Sequence, residues 1–158
     1  MLSLYNSDIE FLEITFFHAK PLSILHQACF QNAWSLADFN ELLILPNVYG
    51  VIASEVNQTE DSFIGFVLCS VTHEECEILT LGVMPDWRHQ GVGYVLLEQV
   101  LAKMEYIDVQ RIFLEVAENN NAARKLYFTQ GFKEIGHRSN YYRQSKGRVD
   151  AIRLVKKI

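Results

Sequence analysis

Apolar residues recur along the chain with two different periods, and these periods predict which segments are helical and which are extended. The clearest helix is predicted over 91–105, where an apolar stripe recurs every three or four residues: Val92, Val95, Leu96, Val100, Leu101 and Met104. Other helices are predicted over 18–30, from Ser35 to before Pro46, and over 121–130, where Gly131 supplies the left-handed stop. Alternating or continuous apolar runs predict strands at 9–16, 49–56, 63–72, 76–84, 109–116, 132–139 and 148–156, with a turn at 60–62.

These elements follow one another in the order β-α-α-β-β-β-α-β-α-β-β. Strands alternate with helices in the middle of the chain and form hairpins on either side, which predicts an α/β fold (an α+β mixed sheet) with helices on both faces. Regular alternation along 76–84 predicts that Ile78, Thr80 and Gly82 share a face, opposite that of Leu79, Leu81 and Val83. Because no repeat or linker interrupts the 158 residues, a single domain, 1–158, is expected.

The charge balance narrows the class of partner. The chain is 49% hydrophobic, and its 14 basic and 19 acidic residues give a net charge of −5. Nucleic-acid surfaces are built from clustered Lys and Arg, so no nucleic-acid partner is expected, and a cationic substrate suits the acidic chain better. No apolar run approaches the ~20 residues of a membrane span, and Met1–Asp8 has neither the basic nor the apolar segment of a signal peptide. A cytoplasmic protein with no membrane partner is therefore expected.

The cysteines and histidines do not indicate disulfides or metal. The chain has an odd number of cysteines, and no two of them form a C-x-x-C pair: Cys29, Cys69 and Cys76. Reduced, mostly buried thiols are therefore expected. The five histidines show no metal-ligand spacing. The sequence thus predicts a protein without a metal site.

The segment with the most chemical information is Pro85–Gly93, between a predicted strand and the strongest predicted helix. Gly91 and Gly93 lie at the mouth of that helix, where free N–H groups and the helix dipole favour an anion such as phosphate. A tight turn that needs glycine explains the same residues equally well. A Rossmann loop is excluded because Leu96 stands where the third glycine belongs, and the Gly-Lys-Ser/Thr of a Walker loop is absent.

The pattern Arg88-x-x-Gly91-x-Gly93 after an apolar strand resembles the acetyl-CoA pyrophosphate loop of the GCN5-related N-acetyltransferase (GNAT) superfamily. The similarity continues through 114–116, 119–123 and 126–132. Asn140-Tyr141-Tyr142 and the segment 147–152 resemble the bacterial subfamily that acetylates the N-terminal alanine of the eighteenth small-subunit ribosomal protein. The resemblance is dense from about 79 to 154 and looser from 26 to 45.

The resemblance implies acetyl-CoA as co-substrate and a role for each of several residues. Glu115 would act as general base on the incoming amine, through water, and Tyr127 would donate a hydrogen bond to the leaving sulfur of coenzyme A. The implied cofactor-binding residues are Leu81, Gly82, Val83, His89, Gln90, Gly91, Val92, Gly93, Tyr94 and Asn120. Without the resemblance, Glu115 is a solvated strand-end carboxylate, Tyr127 a core aromatic and Asn120 a helix cap.

The acceptor is expected to be a protein N-terminal peptide, from a ribosomal protein if the subfamily resemblance holds. Trp34, Asn140, Tyr141 and Tyr142 are the candidate residues for binding it, since aromatic side chains can wall a peptide groove; packing between strands explains them equally well. The protein is expected to be a monomer or a weak dimer. Two alternatives stay open: the same fold acting on a small amine or a lysine side chain, and an acyl-CoA-binding sensor without turnover.

Overall fold

Seven strands form one sheet in the computed structural model, which describes residues 8–56 and 62–158. In chain order the strands are β1 (Ile9–Glu13), β2 (Val48–Glu55), β3 (Phe63–Thr72), β4 (Glu75–Val83), β5 (Arg111–Ala117), β6 (Lys133–Gln144) and β7 (Gly147–Lys157). They lie side by side in the order β1-β2-β3-β4-β5-β7-β6, and all neighbours are antiparallel except β4 and β5, which are parallel. Of the predicted turn at 60–62, Glu60 and Asp61 lie outside the described residues.

Four α-helices in the described part of the chain complete the predicted order of elements. They are α1 (Ala19–Cys29), α2 (Leu36–Leu43), α3 (Val92–Tyr106) and α4 (Asn121–Thr129), with short 3₁₀ turns at Phe16–His18 and Pro85–Trp87. The predicted capping box starts α2: the Ser35 hydroxyl accepts from the Asp38 N–H at 3.1 Å, and the Asp38 carboxylate accepts from the Ser35 N–H at 2.8 Å. Gly131 follows α4 with φ +89°, the left-handed stop that the sequence predicts.

Helices cover both faces of the sheet, as predicted, and each face has its own core. On one face α3 and α4 pack on the central strands through residues such as Leu96, Val100 and Tyr127. On the other, α1 and α2 pack through Leu22, Leu25 and Phe39 against β2 and β3. The second core does not extend to β5, β7 and β6, so that part of this face is left uncovered by α1 and α2.

The prediction that side chains alternate regularly along 76–84 is wrong, because a β-bulge interrupts β4. The pairs Leu68↔Thr80 and Cys69↔Ile78 leave Leu79 without a partner on β3. An extra residue reverses the faces beyond it. Ile78 therefore lies in the core beneath α3, whereas the Thr80 hydroxyl lies 3.2 Å from His26 of α1. Leu81 and Val83 pack on the α3 side.

Two strand ends differ from the predicted ones by three residues or more. The first strand ends at Glu13 rather than 16, because Thr15 caps the 3₁₀ turn that leads into α1. The sixth strand runs on to Gln144 rather than stopping at 139. Its register shifts between Arg138 and Tyr142, where Asn140 has a φ of +53° and its N–H donates to the Asp150 carboxylate at 2.8 Å.

Candidate active site

The two parallel strands in the middle of the sheet separate after three paired positions. The pairs are Glu75↔Arg111, Cys76↔Ile112 and Glu77↔Phe113, and both strands then continue unpaired with each other, to Val83 and Ala117. The Leu79 bulge lies just beyond the last pair and turns β4 away. We call the resulting opening the fork. It exposes two strand edges whose backbone groups are available to a ligand.

The β4 side of the fork offers backbone groups at alternate residues. The Met84 N–H donates to the Ile64 carbonyl of the β3 side at 2.8 Å. Backbone groups alternate in direction along a strand, so those of Gly82, two residues earlier, also point at β3. Those of Leu81 and Val83 point at the fork. Gly82 is needed for packing, since a Cβ there would lie 2.9 Å from the Phe66 ring. Of the three predicted residues on this strand, Leu81 and Val83 present backbone groups to the opening.

The loop at the start of α3 has the conformation that an anion site requires. Gly91 is the N-cap residue with φ +85°, and no side chain caps the helix. The N–H groups of Val92, Gly93 and Tyr94 have no carbonyl one turn earlier to bind, so they stay available at the positive end of the helix dipole. His89 also has a positive φ, +60°, so the backbone turns sharply before the helix. These residues fit the pyrophosphate of a nucleotide cofactor.

The polar side chains around this loop have other partners. The Arg88 Nε donates to the Val83 carbonyl at 3.0 Å, and the Gln90 amide donates to the Asp86 carbonyl at 3.0 Å. Asn120 is the N-cap of α4, and its Oδ1 accepts from the Ala123 N–H at 3.2 Å. Its capping role is thus present, and its amide NH₂ is not used by the cap.

Glu115 lies on the β5 side of the fork with its side chain 13% exposed. Alternation along β5 turns Ile112, Leu114 and Val116 into the α3 core and Glu115 to the opposite face, as predicted. Its buried Oε1 lies 3.1 Å from Arg138 Nη2 and 3.6 Å from Arg153 Nη1, and neither contact has hydrogen-bond geometry. This carboxylate oxygen therefore lies between two guanidinium groups and accepts no hydrogen bond from either of them.

Tyr142 lies close to both Glu115 and Tyr127, a residue near the end of α4. Tyr127 is 6% exposed and packs edge-on against Phe132, with ring centroids 5.7 Å apart. Burial, and secondarily the nearby Tyr142, raise the pKa of the Tyr127 hydroxyl above its ordinary value. Burial, and next the charge of Glu115, raise the pKa of Tyr142 to about 12. Both phenols therefore stay protonated near neutral pH and are hydrogen-bond donors.

The candidate acceptor-binding residues are divided between two places. Trp34 stacks on His26, with ring centroids 4.9 Å apart, at the end of α1. Asn140, Tyr141 and Tyr142 lie at the irregularity in β6, where Tyr141 is 49% exposed beneath the Arg138 guanidinium. The packing of Trp34 and the left-handed Asn140 are structural features in their own right. Among the four candidates, Tyr142 lies close enough to Glu115 for the charge of that carboxylate to raise the pKa of Tyr142.

Two sets of hydrogen bonds tie the end of the β6–β7 hairpin to the loops on either side. The Asn32 amide, in the α1–α2 connection, donates to the Arg143 carbonyl at 3.2 Å. Asn119 and Gln144 exchange two side-chain hydrogen bonds, of 2.8 and 3.2 Å. Sequence reasoning missed these residues, as well as Glu77, Arg138 and Arg153, because their partners lie between 23 and 111 residues away in the chain. Period-two alternation does place Glu115 and Phe113 on one face, but it cannot say which strand lies beside them.

His26 provides a prediction about stability. The ring is 3% exposed; its Nδ1 accepts from the Trp34 N–H at 3.0 Å, so the proton resides on Nε2, which faces Thr80. Burial lowers the pKa of His26 from 6.5 to about 4. The unfolded chain therefore takes up the proton first, and the free energy of unfolding falls as the pH drops from about 6.5 to 4, by up to roughly 3 kcal/mol. Urea unfolding across this range should show that loss, and His26→Gln should remove that part of it; identical pH dependence in both proteins would contradict the assignment.

No helix within residues 8–56 and 62–158 combines the length and apolarity needed to cross a bilayer. In the same part of the chain, no three His, Cys, Asp or Glu side chains gather as a metal site would require. Cys29, Cys69 and Cys76 are free thiols, the last two buried.

Comparison with known proteins agrees with this geometry. Residues 19–132 match the model of the acetyltransferase (GNAT) family. The chain belongs to this family. The ribosomal protein bS18-alanine N-acetyltransferase of Escherichia coli strain K12 is 39% identical over 87 residues, which are 55% of this chain and 59% of that protein. The chain thus spans about three fifths of the length of that relative. The N-alpha-acetyltransferase RimI of Mycobacterium tuberculosis is 32% identical over 116 residues, 71% of this chain and 69% of that protein.

Solved structures extend the similarity to nearly the whole chain. The crystal structure of the E. coli ribosomal-protein-S18-alanine N-acetyltransferase superposes with a TM-score of 0.87 at 26% identity, covering 95% of this chain and 94% of that one. Arabidopsis thaliana NAA60 in complex with acetyl-CoA superposes with a TM-score of 0.83 at 21% identity, covering 95% and 98%. The second comparison supports the fold alone. The GNAT resemblance and the mixed-sheet fold that the sequence predicts are confirmed.

Proposed function

We propose that this protein is an acetyl-CoA-dependent Nα-acetyltransferase, and that its acceptor is the N-terminal alanine of the eighteenth small-subunit ribosomal protein. The observation that carries the proposal is the fork, in which a largely buried carboxylate, Glu115, lies across from a free strand edge that leads to an uncapped helix N-terminus. The names of the relatives from E. coli and M. tuberculosis support an N-terminal amine as acceptor, and the name of the E. coli relative supports the alanine of the ribosomal protein.

Bound acetyl-CoA would supply the acetyl group as a thioester. The pyrophosphate would be held by the N–H groups of Val92, Gly93 and Tyr94 and by the backbone turn at His89, Gln90 and Gly91, with Asn120 at the mouth of α4. Leu81 and Val83 would pair with the amides of the pantetheine arm, as one more strand pairs with an edge. One of their N–H groups, rather than that of Gly82, would polarise the thioester carbonyl, since the Gly82 N–H points at β3.

Glu115 would accept the proton of the acceptor ammonium, through water, because an ammonium has no lone pair for attack. The free amine would then add to the thioester carbonyl, and the carbon–sulfur bond would break to release the thiolate of coenzyme A towards Tyr127. The second proton that the nitrogen loses as the amide forms would neutralise that thiolate. A buried phenol with a raised pKa suits the role of hydrogen-bond donor to a developing thiolate, and full proton transfer is not needed. Proximity within the fork would provide a further large part of the rate enhancement.

The acceptor would enter over Tyr141 and Tyr142, beneath the tied end of the β6–β7 hairpin. The links from Asn32 to Arg143 and from Asn119 to Gln144 narrow this entrance on both sides. A peptide that enters end-on places its first nitrogen near Glu115. Two glutamates and two arginines lie beside the fork, so the charges there cancel. Binding of a cationic N-terminus would therefore depend on the position of Glu115 and not on the net charge of −5.

The proposal is tested by offering purified protein labelled acetyl-CoA with either an alanine-starting peptide of the ribosomal protein or a panel of small amines. We expect transfer to the peptide to exceed transfer to any small amine by at least tenfold in kcat/KM. Transfer to small amines alone would contradict the proposed acceptor and would leave the family assignment unaffected. Binding of acetyl-CoA with no transfer to any amine would favour a sensor without turnover.

A further inference from the structure

A second ion pair spans the fork on the same face as Glu115. Arg153 lies on β7 directly opposite Glu115, and Glu77 is the last residue of β4 that pairs with β5. Nη1 and Nη2 of Arg153 donate to Oε1 and Oε2 of Glu77, each at 3.2 Å. The guanidinium lies 4.9 Å from the centre of the Phe113 ring. Arg153 therefore reaches across β5 and holds β4 at the point where the two strands part.

The same guanidinium also faces Glu115. Nη1 of Arg153 is 3.6 Å from Oε1 of Glu115, which is longer than the 3.2 Å of each hydrogen bond to Glu77. The two parallel hydrogen bonds to Glu77 fix the plane of the guanidinium, since a bidentate pair restricts direction as well as distance. Arg153 cannot close on Glu115 without giving up that pair. The pairing with Glu77 also keeps the pKa of Arg153 above its ordinary value, so the charge is permanent.

We propose that Glu77 and Arg153 are positioning residues for Glu115: the pair holds a fixed positive charge beside the carboxylate, and Glu77 prevents Arg153 from moving in to donate a hydrogen bond to Glu115. The inference rests on the proposed role of Glu115. The other ionisable groups that face Glu115 in the described residues are Arg138 and Tyr142, both from β6.

This arrangement predicts that removing either partner of the Arg153–Glu77 ion pair shifts the protonation of Glu115, and that the two shifts have opposite signs. Removing Arg153 takes a cation from beside a carboxylate, so the carboxylate should take up a proton at higher pH. Removing the charge of Glu77 takes away an anion and frees Arg153 to approach Glu115, so protonation should require lower pH. A pair whose charge does not act on Glu115 would leave its protonation unchanged in both variants, and a loosening of the strands alone would move it in the same direction in both.

The experiment follows the side-chain carboxyl signal of Glu115 by NMR in the full-length protein as the pH is lowered, with the signal assigned by its loss in Glu115→Gln. We expect the titration midpoint to rise by about one pH unit in Arg153→Met and to fall by a similar amount in Glu77→Gln. Arg153→Lys keeps the charge and should return most of the wild-type midpoint. Arg111→Met is the matched control, because Arg111 of β5 pairs with Glu75 of β4 at 2.7 Å and lies four residues from Glu115 along β5.

Acetyl transfer measured on the same variants separates this inference from the proposed function. Midpoints that move in opposite directions, with an unmoved control, support the positioning role. Midpoints that stay fixed or move together overturn it, even if Glu115→Gln abolishes transfer. If Arg153→Met does not fold, Arg153→Lys and Glu77→Gln still decide the question. If Glu115→Gln retains full turnover, the proposed mechanism fails, whatever the titrations show.

Discussion

Glu115→Gln is expected to lower kcat near neutral pH by about 10²- to 10⁴-fold, the usual contribution of a positioned general base. Glutamine keeps the size of the side chain but cannot accept the ammonium proton. The affinity for acetyl-CoA should change by less than twofold, because Glu115 lies on the β5 side of the fork and the proposed cofactor contacts lie on β4 and α3. Stopped-flow turnover with the alanine-starting peptide and calorimetric titration with acetyl-CoA measure the two quantities.

The matched control for this prediction is Glu75→Gln. Glu75 shares a sheet face with Glu77, pairs with Arg111 and is 47% exposed on its side chain, so the same chemical change occurs outside the fork. Its kcat should equal that of the wild type. Equal turnover in Glu115→Gln and the wild type would remove Glu115 from the mechanism.

Gly91→Val is expected to weaken acetyl-CoA binding by about 10- to 100-fold, equivalent to about 1.4–2.8 kcal/mol. Gly91 caps α3 with φ +85°, a conformation that a β-branched residue adopts only under strain. A side chain at this position would also occupy the space through which a phosphate approaches the free N–H groups of the first turn. The dissociation constant from calorimetry is the readout, and thermal unfolding reports the cost of the strain separately.

Gly136→Val controls for the general effect of a branched side chain at a glycine. A Cβ at Gly136 would have no neighbour within 4 Å, and the residue has no positive φ. Its acetyl-CoA affinity should match that of the wild type. An unchanged dissociation constant in Gly91→Val would refute the assignment of this loop to the cofactor.

The features that could be predicted from the sequence are those set by local rules. The α3 stripe, the Ser35 capping box and the Gly131 stop each depend on residues within a few positions, and all three appear in the structure. Alternation along β5 likewise places Glu115 on the face away from the α3 core. The order of elements then follows from the order of these local signals.

The remaining features depend on which strands become neighbours. The Leu79 bulge has no marker of its own in the sequence; it becomes visible only when Thr80 meets His26 and Gly82 packs on Phe66. Arg138 and Arg153 reach Glu115 because β7 lies between β5 and β6, an arrangement that chain order does not reveal. The resemblance pointed to Glu115 and to the loop before α3, and only the structure shows the charges that surround Glu115.

The most direct test of the central claim is to find which nitrogen receives the acetyl group. The acceptor is a peptide that starts with alanine and contains one internal lysine, offered with acetyl-CoA to the wild-type protein and to Glu115→Gln, with the product mapped by tandem mass spectrometry. The proposed function predicts a single acetyl group on the α-nitrogen of the alanine, and a yield at least 100-fold lower in Glu115→Gln, from the contribution of a general base. Acetylation of the lysine instead, or equal α-acetylation by both proteins, would contradict it.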